Sequence, residues 1–355
     1  MAYTTINKSS DFFNTKLYTG NGSTNAITGV GFQPDWTWLK SRSQAVNHYV
    51  FDAVRGVTKG ITTNTTSAES TKDSSWVTSF DSDGFSLGSE ANINTSSATY
   101  ASWNWKAGTS FTNDASSTGI GTIDSTGSVN QDAGFSIISY TGTGSVGTVA
   151  HNLGAKPNVM IQKKLSGSGA WIVYHDKVAT NPSHKYLYLN STATVGDYTP
   201  HFNDTEPTSS VFTLGTDTSI NGSSATNIMY CFAEKQGYSK FGSYLANAQT
   251  GINGPFIYLG FKPSLVIIKN TAATGWYMYD NKRNPYNRVA KALFPDSNAA
   301  EYDYTDRLDF LSNGFAIRGA SASTGDNSPA GQEYIYMAFA EAPLVGTNNV
   351  PCTAR

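Results

Sequence analysis

The segment "GFQPDWTWLK" (31–40) recurs as "LGAKPNVMIQKK" (153–164) and "GFKPSLVIIKNT" (260–271). Lysine follows proline by six residues each time: Pro34 and Lys40, Pro157 and Lys163, Pro263 and Lys269. A pattern returning at long intervals constrains a fold more than local propensity does, because every copy must build the same kind of unit. Further landmarks keep their order around it. A tyrosine segment precedes each proline (Tyr18 in "LYTGNG", Tyr140 in "SYTGTG", Tyr244 in "SYLANA"). After the lysine come an aromatic segment ("YVFDAVRG", "WIVYHDK", "WYMYDNKRN") and a small-residue segment ("NTTSAE", "LNSTAT", "DSNAAE"). A phenylalanine segment ("DGFSLGS", "SVFTLGT", "NGFAIRG") and a closing apolar segment ("YASWNWKAG", "NIMYCFAEKQG", "YIYMAFAEAP") complete each copy.

Within the copies, short alternating runs bounded by Gly, Asn, Ser and Pro predominate over stripes of helical period, the best helical candidate being "NRVAKALF" (287–294). Polar mass comes from Ser, Thr, Asn and Gly, and bulk from 20 Tyr, 18 Phe and 7 Trp, a mixture suited to pleated sheets with uncharged faces. The expected fold is all-β, with three tandem antiparallel β-sandwich-like modules of about 100 residues each. They span residues 1–108, 134–237 and 238–343, with a polar linker or hairpin at 109–133 and a tail at 344–355. Positions two, four and six after the proline share one face of a strand. These are Trp36, Trp38 and Lys40, then Val159, Ile161 and Lys163, then Leu265, Ile267 and Lys269. The two tryptophans therefore read as core residues rather than a sugar platform, with Lys40 leaving the sheet edge toward solvent.

Charged residues make up 14% of the chain, its formal net charge is -2, and no Lys or Arg block occurs, so neither nucleic acid nor an anionic membrane is an expected partner. The start "MAYTTINKSSDFF" lacks a basic n-region and an apolar h-region, so no export signal is expected. Of the two cysteines, Cys231 reads as a core residue and Cys352 as a tail thiol. His48, His151, His175, His184 and His201 form no ligand-spaced pair. Although "DSDG" (81–84) and "EYDYTDRLD" (301–309) hold carboxylates, no complete calcium loop surrounds them. No Walker loop or dinucleotide fingerprint is present, and the serines of "GTGSVG" and "GSGAWI" precede no helix. Neither a metal nor a cofactor is expected.

Glu234 and Glu341 recur at one strand end, but the first copy has "WNWKA" there, which excludes an acid common to all copies. Both read as binding backbone amides or a lysine at a module junction. Asp52 with Arg55 and Asp280 with Arg283 read as turn-stabilising ion pairs, replaced in the second copy by "YHDKV". No enzyme is expected.

The phrases "GFQPDWTWLK", "FDAVRG", "SFDSDGFSLGS", "WNWKAGTSF", "FAEKQGYSKFGSY", "LDFLSNGF", "YIYMAFAEAPLVG" and "NVPCTAR" resemble a repeat-containing, virion-associated protein family of tailed, especially marine, bacteriophages. That resemblance implies a non-enzymatic structural protein on the virion exterior, assembled in the host cytoplasm, as capsid decoration, cement or another head- or tail-associated part. Its partners would be other capsid or tail subunits and further copies of itself. The alternative is a tail-fibre adhesin recognising host surface glycan through Trp76, Trp276, Tyr198, Tyr286, Tyr302 and Tyr304. A polysaccharide-degrading enzyme is a remote third. The terminal segments 1–16 and 344–355 are candidates for docking by strand addition.

Overall fold

In the computed structural model, which describes residues 4–319 and 326–343, each proline-to-lysine segment forms a strand flanked on both sides. Trp36–Ser41 lies between Thr99–Trp105 and Tyr49–Asp52, Val159–Lys164 between Thr226–Phe232 and Trp171–His175, and Phe261–Asn270 between Glu333–Pro343 and Trp276–Asp280. Beyond the closing strand of each copy lies its tyrosine strand: Phe13–Thr19, Phe135–Thr141 and Ser239–Leu245. All these pairings are antiparallel, and the register is the same in every copy. Trp36 stands opposite Trp105 and Asp52, Val159 opposite Phe232 and His175, and Leu265 opposite Phe339 and Asp280.

A smaller sheet covers one face of each of these sheets. In the first copy it is Asn25–Thr28, Gly84–Leu87 and Val77–Asp81; in the second, Gly147–Ala150 with Val211–Leu214; in the third, Phe256–Tyr258, Gly314–Ile317, Tyr302–Leu311 and Val289–Ala292. Between the layers lie separate apolar cores, centred on Leu39, Phe51 and Phe85, on Met160, Tyr174 and Phe212, and on Val266, Tyr279 and Phe315. The opposite faces share a single core. Trp36 and Trp38, Val159 and Ile161, and Leu265 and Ile267 all belong to it. The sandwiches are therefore fused through their large sheets, not strung as beads along the chain.

Residues 109–130 form a hairpin whose strands, Thr109–Asn113 and Ser125–Asn130, pair with each other, and the second of them pairs with Phe135–Thr141, widening the second large sheet to eight strands. "NRVAKALF" contains a strand, Val289–Ala292, rather than a helix. Its residues Val289 and Ala292 enter the third sandwich core while Leu293 enters the shared one, two directions that a single helical stripe cannot serve. The N-terminal docking candidate is already packed: Ile6 lies in the shared core, Ser9 is buried, and Phe12 sits 6.0 Å from Tyr238. The C-terminal candidate, with Cys352, lies outside the described residues.

Candidate functional site

The polar chemistry of the chain concentrates where the large sheets converge. Trp105, Phe232 and Phe339 hold equivalent places and close a triangle, with ring centroids 6.4, 5.8 and 5.5 Å apart. Trp36 extends it, 4.4 Å from Trp105 and stacked at 4.7 Å on Tyr230. Each such aromatic pair contributes about 0.5–1.5 kcal/mol beyond the area it buries.

Around this apolar hub runs a closed ring of equivalent backbone hydrogen bonds. The amide of Glu69 donates to the Leu165 carbonyl (3.1 Å), that of Val195 to Thr271 (2.9 Å), and that of Glu301 to Arg42 (2.8 Å). The first copy thus grips the second, the second the third, and the third the first. The donor ends the small-residue segment (Glu69, Glu301) or directly follows it (Val195), and in every case the acceptor stands two residues after the recurrent lysine. Indoles reinforce two of the steps: Trp171 Nε1 donates to the Thr62 carbonyl (2.8 Å) and Trp276 Nε1 to that of Tyr188 (2.9 Å). The third step has His48, whose Nε2 faces the Phe294 carbonyl without a full hydrogen bond.

The recurrent lysines do not reach solvent. Lys40 is 1% exposed, and Lys163 and Lys269 are fully buried. Lys40 Nζ donates to the carbonyls of Ser41, Gln44 and, across the seam, Asn298 at 2.8, 3.2 and 3.3 Å. Lys163 Nζ reaches Gly169 and, across its own seam, Thr66; Lys269 Nζ reaches Asn270 and Ala272. Carbonyl dipoles replace the water these ammonium groups give up, but incompletely, and burial lowers each lysine pKa to about 8.

The Asp-x-x-Arg pairs are buried junctions, not exposed turns. Asp52 Oδ2 accepts from Arg55 Nε (2.6 Å) and from Tyr230 OH of the second copy (2.7 Å). Arg55 continues to Glu69 (3.1 Å) and the Lys59 carbonyl (3.0 Å). Burial opposes the Arg55 charge, but the Asp52 and Glu69 carboxylates outweigh it and raise its pKa. Asp280 Oδ2 likewise accepts from Arg283 Nε (2.5 Å) and from Trp103 Nε1 of the first copy (3.1 Å). Arg283 passes on to Glu301, which receives Arg42 through two hydrogen bonds of 2.9 Å. In the second copy His175 occupies the corresponding place: Nδ1 accepts from the Lys177 amide (3.1 Å) and Nε2 bonds the Tyr336 carbonyl (3.2 Å). Burial keeps this imidazole neutral, lowering its pKa to about 4.

Residues 8–343 match DUF7483, a domain of unknown function, and that span takes in the whole ring. The chain belongs to the DUF7483 family. No curated protein and no solved structure matches it.

Elsewhere in this DUF7483 chain, the aromatics singled out from the sequence are scattered. Trp276 lies in the shared core, and Trp76 is buried, with Lys72 Nζ 3.9 Å above its ring, so neither offers a free face to a sugar. Tyr302 is exposed and lies 4.4 Å from half-buried Tyr304, whose ring is covered by the Arg307 guanidinium at 3.4 Å. Tyr198 and Tyr286 are exposed, the first beside His201 at 4.9 Å and the second on a separate loop. Of the six, Tyr302 and Tyr304 alone are in ring contact with each other. Glu234 accepts from the Phe241 amide (3.4 Å) and Glu341 pairs with Lys262 (2.7 Å). Asp83 caps the amides of Gly29 and Gly31, and Asp306 and Asp309 pair with Arg288 and Arg318. Among the described residues, no three of His, Cys, Asp and Glu gather as a metal site.

Sequence reasoning missed one recurrent group. Asn94, Asn221 and Asn327 are fully buried, and each accepts from a loop amide, of Asn21, Thr143 and Asn247 respectively. Their Nδ2 groups donate to loop carbonyls, including those of Ser23, Ser145 and Gln249. Beside them Tyr18, Tyr140 and Tyr244 donate to the carbonyls of Ile93, Ile220 and Asp326. The signal was available: in all three copies the asparagine follows the phenylalanine segment, in "NINT", "SING" and "GDNS".

Proposed function

We propose that this DUF7483 chain is a non-enzymatic structural protein of a particle surface, the particle being the tailed-bacteriophage virion that its sequence phrases resemble. The closed ring of three equivalent hydrogen bonds around one shared core carries the reading. It commits the buried charges and indoles to holding the copies together, which makes one rigid block that can sit on a symmetric assembly. The recurrent carboxylates Glu234 and Glu341 are engaged in structural contacts, which also favours a scaffold over a hydrolase. An adhesin working through the exposed tyrosines has weaker support, because Tyr198, Tyr286 and Tyr302 make no ring contact with one another.

The test is mass spectrometry and cryo-electron microscopy of gradient-purified virions from the phage that encodes the chain. Full-length protein in the particle, with density matching three fused sandwiches, is the expected result. Copy number matching the capsid lattice assigns decoration, and a few copies at the tail assign adhesion. Absence from the purified particle refutes the proposal.

A further inference from the structure

Because the hairpin at 109–130 has no counterpart among the described residues of the first or third copy, neither the repeated scaffold nor the ring explains it. It walls a cleft of ≈ 780 Å³, within the range of small-molecule sites. Its apolar part is Phe111 with Val129; the Phe111 ring lies against Gly127, where an added Cβ would come within 2.7 Å of Cε1, and the residue stays half-exposed. Asn130, Gln131 and Asn152 line the same cleft and bring amide side chains to it. Among the described residues Asn130 uses only Oδ1, for the Ala133 amide, and Gln131 only Nε2, for the Asn152 carbonyl at 2.8 Å. The remaining amide donors and acceptors are therefore free to bind a ligand. Lys106 and Asp132, one charge of each sign, complete the lining and are engaged in no ion pair among the described residues.

From these observations we propose that the cleft beside Phe111 binds a neutral oligosaccharide. An aromatic ring takes the apolar C–H face of a pyranose, amides match its hydroxyls, and balanced charge gives an anionic ligand no advantage. The inference does not depend on where the protein resides, so it survives if the virion assignment fails.

Full-length protein applied to an array of neutral and charged oligosaccharides is expected to retain neutral ones. Calorimetric titration of the best neutral binder is then expected to show roughly tenfold or greater weakening in Phe111→Ala. Thr109→Trp, at an exposed position inside the cleft, is expected to weaken binding likewise without altering the melting temperature. It keeps the test decisive if Phe111→Ala does not fold. Tyr286→Ala, on the third copy, is expected to bind like the parent. Retention of no neutral glycan overturns the proposal, as does retention of charged glycans alone or neutral binding unaffected by Thr109→Trp.

Discussion

The seam between the first and third copies and the seam between the second and third use the same register position with opposite chemistry. In one, Asp280 receives the Trp103 indole and neutralises the buried Arg283; in the other, neutral His175 meets the Tyr336 carbonyl and no charge is involved. What the fold requires at this position is a side chain that reaches across to the neighbouring sheet, and a carboxylate is one solution among others. The carboxylate solution carries a liability. Arg283 is fully buried, so a carboxylate must accompany it; His175 stands without such a dependent.

Removing the two residues separately should separate the two seams by the size of the loss. Asp280→Ala breaks the buried pair, leaves Arg283 only its longer 3.3 Å contact with the Glu301 carboxylate and leaves the Trp103 N–H unpaired, a loss of about 3 kcal/mol expected in chemical denaturation. Because the seam belongs to a core shared by all three sheets, the midpoint of a single unfolding transition should move. Survival of a separate, unshifted transition for the second sandwich would show that the copies unfold independently.

His175→Ala is expected to cost less, about 1–3 kcal/mol, since it leaves only the Tyr336 carbonyl and the Lys177 amide without their partner. Its distinctive signature is in pH. The imidazole stays neutral in the folded chain down to about pH 4 but protonates near its ordinary 6.5 once unfolded. Unfolding therefore takes up a proton between these values, and stability falls as pH drops from 6.5 to 4. His151 and His201, also lowered by burial to about 4, add to the same slope. Denaturation at several pH values should give a shallower acid slope in His175→Ala than in the parent; equal slopes would mean that His175 is charged in the folded state.

Strand identity was legible in the sequence, as was the common face of Trp36 and Trp38, because alternation and repetition report which way side chains point. What lies opposite that face was not. Asp52 and Arg55 look like an exposed turn until Tyr230 closes over them from another copy, and Asp280 depends in the same way on Trp103. Trp276 shows the same limit: its strand reads as aromatic, but nothing in the sequence says that its indole is received by Tyr188 of the second copy. The cleft beside Phe111 was hidden for a further reason. The hairpin that builds it is rich in Ser, Thr and Gly, so in sequence it reads as a polar linker or hairpin with no sheet to join, whereas its second strand pairs with Phe135–Thr141.

Lysine burial was equally unreadable, since an apolar-apolar-lysine alternation ordinarily places the ammonium at a solvated edge. The equivalence of Lys40, Lys163 and Lys269 gives the smallest expected effect, but these lysines place a buried charge in every copy. Each has a folded-state pKa of about 8 against 10.5 in the unfolded chain. Between those values the unfolded chain holds more protons, so stability should rise as pH climbs from about 8 toward 10. Above that, ionisation of tyrosines released by unfolding opposes the rise, because burial holds Tyr238 and Tyr140 protonated in the fold. Lys40→Met exchanges a buried charge for an apolar chain of similar length and deprives the Asn298 carbonyl of its donor. The two effects should leave stability at pH 7 within about 1 kcal/mol of the parent. The same variant should show a smaller rise between pH 8 and 10, because one of the three linked protons is gone; an unchanged rise would mean that Lys40 reaches water after all.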